Sequence, residues 1–175
     1  MGDMKNQKHV MVALEPTMGD HVLKQFVNTI YDKTSQKVTL VHCVEYHFVH
    51  TPVISMGFES SSGRVMDLES VMRRATLAEG EAYLKRITKK AEDLGVKVED
   101  TKVLVANPPK SSVKFVLCDY IKEKSPQMVV CGAQGKSAPH RGYGYLGSVS
   151  DFLTHNAPAA IMVIRGPSTR TLVAS

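Results

Sequence analysis

The chain has 175 residues and carries 22 lysines and arginines against 17 aspartates and glutamates, a formal net charge of +5. Its length suits one domain with a substantial core, and its apolar runs are too short to span a membrane. The basic residues are scattered, and aromatic residues make up 6% of the chain. These features argue against a nucleic-acid partner and against a membrane protein.

The beginning of the chain and its cysteines predict a cellular location. The lead from Met1 to Lys8 is polar and lacks the apolar segment of a secretory signal, which predicts a cytoplasmic protein. The three cysteines, Cys43, Cys118 and Cys131, lie in or beside apolar stretches and are predicted to be reduced core residues. We expect a single domain over residues 1–175, with its core at about 8–165 and a polar tail at 166–175.

The first third of the chain predicts a strand, a helix and a second strand. Residues 9–14 form an apolar run typical of a buried strand, and helical periodicity follows from Val22 to Ile30. The β-branched stretch 38–44 predicts the second strand. A long polar loop is then expected over residues 45–65.

The rest of the chain continues the alternation of strands and helices. Helical patterns cover 66–94, with Gly95 as the stop, and also 113–121 and 149–156, whereas strands are predicted at 96–106, 128–131 and 160–164. The strand at 96–106 alternates apolar and charged residues, as an edge strand does. Five strands alternating with four helices predict an α/β domain with a mostly parallel sheet and helices on both faces.

A glycine-bearing stretch runs from the fourth strand to the last helix. The apolar run from Met128 ends at Gly132, Gly135 follows, and Gly147-Ser148 opens the next helical pattern. Glycines let backbone N–H groups approach an anion closely, and a helix N-terminus adds unpaired donors and a positive dipole end. This arrangement predicts a phosphate-binding loop.

The motif Gly132-x2-Gly135, a spacer, Gly147-Ser148-Val149-Ser150 and then HNAPAAIMVI resembles the universal stress protein family. The resemblance covers about residues 8–165 and implies a Rossmann-like sheet, of the adenine nucleotide alpha hydrolase type, with strand order 3-2-1-4-5. ATP-binding members have nine residues between G-x2-G and G-[S/T]. Here the spacer 136–146 has eleven.

The resemblance also implies a nucleotide site between strands 1 and 4. In ATP-binding members an Asp at the end of strand 1 contacts the nucleotide and a residue of strand 2 offers its backbone to adenine; the matching positions here are Glu15 and Val41. Two alternatives stay open: Glu15 as a solvated carboxylate, and Ser148 and Ser150 as helix caps. The implied site comprises Ala13, Leu14, Glu15, Val41, Cys131, Gly132, Gly135, Gly147, Ser148, Val149 and Ser150, with the loop cations Lys136, His140 and Arg141 facing phosphate or solvent.

Catalytic and metal-binding patterns are not predicted. His42, His47 and His50 with Cys43 match no zinc spacing, because His42 and Cys43 point to opposite faces of a strand. The sequence shows no nucleophile elbow, no Walker motif and no carboxylate pair beside the glycine loop. We therefore expect no catalytic residue and at most slow ATP hydrolysis.

The predicted function is that of a cytoplasmic, ATP-binding regulator in the stress response, with ATP bound alone or with Mg²⁺. The alternative is a nucleotide-independent dimeric scaffold, which the longer spacer and Glu15 favour. A homodimer is expected through strand 160–164, which has no charge until Arg165 and is an unguarded sheet edge. The polar tail folded over that edge is the other possibility.

Overall fold

A computed structural model describes residues 7–46, 63–108, 111–134 and 146–166 of the chain, with the backbone alone for 63–69. These residues form five strands and four helices in alternation. The strands are β1 (Lys8–Leu14), β2 (Gln36–Glu45), β3 (Val98–Ala106), β4 (Met128–Gly132) and β5 (Ala160–Ile164); the helices are α1 (Gly19–Thr29), α2 (Gly63–Asp93), α3 (Val113–Lys124) and α4 (Ser148–Asn156).

The strands form one parallel sheet in the order β3-β2-β1-β4-β5, which confirms the predicted topology. The winding reverses between β1 and β4, so the carboxyl ends of these strands open onto a common crevice. Ala13 is paired with Val41 on one side and with Cys131 on the other. Three predicted site residues therefore lie side by side across the sheet.

The core divides between the two faces of the sheet because alternate residues of a strand point to opposite faces. Val10, Val12 and Leu14 of β1 belong to the cluster that packs against α1 and α2, whereas Met11 belongs to the cluster against α3 and α4. Fully burying a large apolar side chain contributes roughly 1.5 to 3 kcal/mol. Burial on both faces explains why β1 and β4 read as continuous apolar runs.

Some element boundaries differ from the predictions. Strand β3 begins at Val98 rather than at residue 96, because the Val96 N–H donates to the Ala91 carbonyl at the end of α2. Gly95 ends this helix with a φ of +81°, as its position predicted. Helix α2 begins at Gly63, three residues before the predicted start.

Several predicted features lie outside the described residues. They are most of the 45–65 loop, most of the 166–175 tail, and the site residues Gly135, Lys136, His140 and Arg141. In the described part of the chain, no helix is both long and apolar enough to cross a membrane.

Candidate functional site

A cleft of about 650 Å³ opens where the strand order reverses, at the carboxyl ends of β1, β2 and β4. We call it the switch-point cleft. Its volume lies in the range of small-molecule sites. The sheet and α4 contribute residues 13–16, 41–45, 131–134 and 147–150; α2 contributes Thr76, Glu79, Gly80 and Tyr83; and the start of α3 contributes Ser112, Val113, Lys114 and Leu117.

The predicted site residues that the structure describes all line this cleft. They come from three distant parts of the sequence, the ends of β1, β2 and β4 with the start of α4, and the order of the strands in the sheet brings these parts together. The list is Ala13, Leu14, Glu15, Val41, Cys131, Gly132, Gly147, Ser148, Val149 and Ser150.

Glu15 is anchored just after β1. Its Oε1 accepts hydrogen bonds from the Met18 N–H at 2.6 Å and from the Thr17 hydroxyl, which fixes the direction of the carboxylate. Its Oε2 is shielded from solvent and has no hydrogen-bond partner among the described residues. Glu15 is thus not a freely solvated loop carboxylate, and it keeps one acceptor oxygen unused.

His42 and Tyr83 form the packed wall of the cleft against α2. The Tyr83 hydroxyl donates to the Glu15 carbonyl at 3.0 Å, and the His42 Nδ1–H donates to the Leu14 carbonyl at 2.8 Å. Their rings lie 4.6 Å apart between centroids. Burial, and secondarily the Glu15 carboxylate, raises the pKa of Tyr83, so this hydroxyl stays protonated at neutral pH.

Histidines and cysteines near the cleft have structural roles. The part of the chain that the structure describes contains no group of three His, Cys, Asp or Glu residues placed to hold a metal ion, and His47 and His50 lie outside it. Cys43 and Cys131 are free cysteines. Burial raises the pKa of the Cys131 thiol to about 11, and burial followed by Glu45 raises that of Cys43 to about 12. Thiols this weakly acidic are poor nucleophiles near neutral pH.

The N-terminus of α4 faces the cleft without a side-chain cap. Gly147 is the N-cap residue, and among the described residues no side chain bonds to the first N–H groups of the helix. The alternative in which Ser148 or Ser150 caps these groups is therefore not what the described residues show. Ser148 is exposed, while the buried Ser150 hydroxyl lies 3.0 Å from the carbonyl oxygens of both Ala133 and Gly147 and closes the turn after β4.

Gly147 is closely packed at this turn. Its N–H donates to the Ala133 carbonyl at 2.5 Å, and a Cβ at Gly147 would lie 3.1 Å from the same oxygen. That distance is tighter than ordinary van der Waals contact. A larger residue would push the β4 loop and the start of α4 apart.

Helix α3 also begins at the cleft, a contribution that sequence reasoning missed. Its N-cap, Ser112, makes no capping hydrogen bond, and the Ser112 hydroxyl oxygen is buried without a partner in the described part of the chain. Lys114 follows, in the first turn. The signal in the sequence was the Asn107-Pro108-Pro109 turn after the third strand, since a helix that follows a parallel strand begins at the carboxyl edge of the sheet.

The charge lining the described cleft is uneven. Glu15, Glu45 and Glu79 lie toward β1, β2 and α2, whereas Lys114 lies at the start of α3. Two uncapped helix N-termini, those of α3 and α4, add partial positive charge on the side of Lys114. The cleft therefore suits a ligand that has hydrogen-bond donors at one end and negative charge at the other.

Comparisons with known proteins agree with this geometry. Residues 7–165 match the model of the universal stress protein family. The universal stress protein MJ0531 of Methanocaldococcus jannaschii is 33% identical over 89 residues, which span 51% of this chain and 48% of that protein. The chain thus matches only about half the length of this relative.

Solved structures share the fold at low sequence identity. The universal stress protein UspA from Lactobacillus plantarum superposes with a TM-score of 0.65 at 18% identity, covering 91% of this chain and 99% of that one. A universal stress protein family protein from Arabidopsis thaliana, solved with AMP bound, has a TM-score of 0.55 at 19% identity, covering 94% and 95%.

Proposed function

The chain belongs to the universal stress protein family, and we propose that it binds an adenine nucleotide, ATP foremost, in the switch-point cleft. On this proposal it acts in the cytoplasm as a nucleotide-dependent regulator of the stress response. The AMP-bound relative from Arabidopsis supports the choice of an adenine nucleotide. No catalytic role is proposed, because the described lining offers carboxylates and weakly acidic thiols rather than the concentrated positive charge that phosphoryl transfer needs.

The observation that carries this proposal is the pairing of Glu15 with the α4 N-terminus in one cleft. The unused Glu15 Oε2 is an acceptor suited to a ribose hydroxyl, and the uncapped N–H groups of α4 are donors suited to phosphate oxygens. A nucleotide carries both a ribose hydroxyl and phosphate oxygens in one molecule, a few bonds apart. Phosphate alone or a sugar alone would use one of them and leave the other unsatisfied.

The strands and helix α3 give the cleft apolar walls for the base. Leu14 and Val41 of the strands and Leu117 of α3 line the cleft, and each is held in place by burial against its neighbours. An adenine ring needs flat apolar contacts together with a few backbone hydrogen bonds. Mg²⁺, where present, would be held by the phosphates and water more than by the protein.

The first test is binding. Isothermal titration with ATP, AMP and GTP, together with mass spectrometry of any ligand released on denaturation, should show an adenine nucleotide bound and GTP bound more weakly. Glu15→Gln keeps an amide oxygen for Met18 and replaces the unused oxygen by a donor. We expect it to weaken nucleotide binding by about 10- to 100-fold, because a hydrogen bond to a charged group is worth roughly 1.5 to 3 kcal/mol.

Glu99→Gln is the matched control for this substitution. Glu99 is an exposed carboxylate on β3 that pairs with Lys37 at 3.8 Å, away from the switch-point cleft. Its replacement should leave nucleotide affinity unchanged. The proposal fails if the unmodified protein gives no heat with millimolar ATP and Mg²⁺ and releases no nucleotide.

The second candidate function is a nucleotide-independent dimeric scaffold, and the position of β5 at the edge of the described sheet favours it. Strand β5 ends the sheet next to β4, whereas the opposite edge strand, β3, exposes the charged residues Glu99, Asp100 and Lys102. An uncharged edge is a template for pairing with another chain. We propose that both candidate functions share a homodimer formed through residues 160–164.

The hydrogen bonds of β5 identify a substitution that tests the dimer. The Ala160 N–H and the Ile164 carbonyl both bond toward the β4 side. Alternation along a parallel strand then turns the N–H groups of Ile161 and Val163 toward the free edge. Val163→Pro removes an outward donor and leaves the bonds between β4 and β5 in place.

Light scattering at micromolar concentration should give a dimer mass for the unmodified protein and a monomer mass for Val163→Pro. Circular dichroism would check that the variant is folded. A monomer mass for the unmodified protein would refute the dimer, and nucleotide binding by a monomeric variant would show that the two properties are separable.

A further inference from the structure

Lys114 lies where the start of α3 meets the start of α4. Its Nζ is 5.1 Å from the ring centroid of Phe115 and 5.3 Å from that of Phe152. The two rings meet edge to face at 5.0 Å. Cation–π contacts from two rings restrict a long, flexible side chain to one region of the surface.

The position of Phe152 identifies that region. Phe152 lies four residues after Ser148 on α4, so both residues share one face of the helix. Helical side chains lean toward the N-terminus and cover the turn that precedes their own Cα atom. The ring of Phe152, and the ammonium group above it, therefore lie beside the first turn of α4, where the uncapped N–H groups face the cleft.

Lys114 is important because the other charged side chains that line the described cleft are acidic. Among the described lining residues Lys114 is the single lysine or arginine, set against Glu15, Glu45 and Glu79. Within the described part of the chain it forms no ion pair, whereas Lys124, which contacts Tyr120, also pairs with Glu123 at 3.0 Å. A cation left without an anion at the edge of a cleft is available to a bound anion.

We infer that Lys114 binds the phosphate groups of the nucleotide, held in place for that contact by Phe115 and Phe152. This inference rests on the proposed nucleotide binding and adds to it a phosphate contact from α3, outside the glycine loop. The contact is charge-assisted and lies beside a helix N-terminus, where both positive potentials act on the same phosphate oxygens. Its contribution grows with the number of phosphate groups.

The test is a titration of Lys114→Met with adenosine, AMP, ADP and ATP. Methionine keeps an unbranched side chain over the rings and removes the charge. Adenosine affinity should stay within about twofold, whereas ATP affinity should fall by about tenfold or more, with AMP and ADP between them. Lys114→Arg should restore most of the ATP affinity, and the difference between the unmodified protein and Lys114→Met should shrink at high salt.

Lys124→Met is the matched control. It removes a lysine of the same helix that also contacts an aromatic ring, about 15 Å away at the rise of an α-helix. Equal loss of adenosine and ATP affinity in Lys114→Met would show a structural role and overturn the inference, as would unchanged ATP affinity. If the unmodified protein binds none of the four ligands, the proposed function falls as well, so the two failures are distinguishable.

Discussion

The two walls of the switch-point cleft differ in how completely their polar groups are used. On the α2 side, the carbonyls of Leu14 and Glu15 are bonded by His42 and Tyr83. On the side of α3 and α4, two helices begin without side-chain caps. The backbone carbonyls of one wall are bonded by side chains, and the other wall leaves backbone donors toward the cleft. The difference separates residues that hold the fold from residues available to a ligand.

The α2 wall also packs more closely. Gly80, in the middle of α2, lets the helix approach the sheet: a Cβ there would lie 2.8 Å from a methyl of Val44 and 2.9 Å from one of Val103. Gly19 similarly leaves room for the hydroxyl of Tyr83. Real Cβ atoms do not approach this closely, so these two glycines fix the distance between helices and sheet.

The largest effect should come from breaking the close wall with Gly80→Val. Valine has a better intrinsic helix propensity than glycine, so any loss of stability must come from packing. Forcing extra methyl groups into a filled interface should lower the free energy of unfolding by about 1 to 3 kcal/mol or more. Urea denaturation followed by circular dichroism measures it.

Ala78→Val is the control for this substitution. Ala78 lies two residues earlier on the same helix and is exposed, so a branched side chain there should cost no more than about 0.7 kcal/mol. A loss in Gly80→Val no larger than the loss in Ala78→Val would contradict the close packing of Gly80 against the sheet.

The sequence predicted the parts of this cleft that follow directly from strands and turns. The apolar runs around Val12 and Val130, together with the resemblance, predicted the sheet order, and the glycines after β4 predicted the α4 N-terminus. These features are local in sequence, because a strand, its turn and the following helix are contiguous. Gly147 was identified for the same reason, and Glu15 was identified because its position matches one that the resemblance implies.

The contributions of α2 and α3 were not predicted, because helical periodicity shows which face is buried but not what it packs against. Tyr83 and Lys114 are unremarkable positions in such a pattern. Gly80 was the available signal: an isolated glycine costs about 1 kcal/mol in a helix, so its presence indicates a close approach of backbone to a neighbour. The sequence also left open whether Ser150 caps α4, and in the structure its hydroxyl bonds to carbonyl oxygens instead of N–H groups.

A smaller effect should separate Ser150 from Ser148 on the open wall. Ser150→Ala removes the hydroxyl that joins the Ala133 and Gly147 carbonyls, and we expect it to lower the free energy of unfolding by about 1 to 2 kcal/mol. Ser148→Ala removes an exposed hydroxyl and should change stability by less than about 0.5 kcal/mol.

Nucleotide affinity should distinguish these serines in the opposite sense. Nucleotide titration at a temperature where both variants are folded should show the larger loss of affinity for Ser148→Ala. The Ser148 hydroxyl is exposed and makes no hydrogen bond to the described residues, so it is available to a ligand. Equal losses of stability in the two variants would contradict the assignment of Ser150 to the turn and of Ser148 to the ligand.

A loss somewhat smaller than that of Ser150→Ala is expected from Tyr83→Phe on the close wall. This substitution keeps the ring against His42 and removes the donor to the Glu15 carbonyl, a loss of about 0.5 to 1.5 kcal/mol. Tyr83 has a pKa raised above its ordinary value of 10.0 by burial first and then by Glu15. The folded state therefore holds this proton more tightly than the unfolded state. The stabilisation is complete below about pH 10 and is lost as the pH rises further, and the variant should lose less stability over that alkaline range.

The packing of Gly19 against the Tyr83 hydroxyl allows the effect of Tyr83→Phe to be assigned to that hydroxyl. A Cβ at Gly19 would overlap the Tyr83 hydroxyl oxygen, but it would lie 3.4 Å from the ring carbon that carries this hydroxyl. Gly19→Ala should therefore destabilise the unmodified protein more than it destabilises Tyr83→Phe, and a double-mutant cycle of unfolding free energies should give a coupling of about 0.5 kcal/mol or more. Additive effects would mean that the hydroxyl does not occupy the space that Gly19 leaves, and the close wall would then be held by its apolar contacts alone.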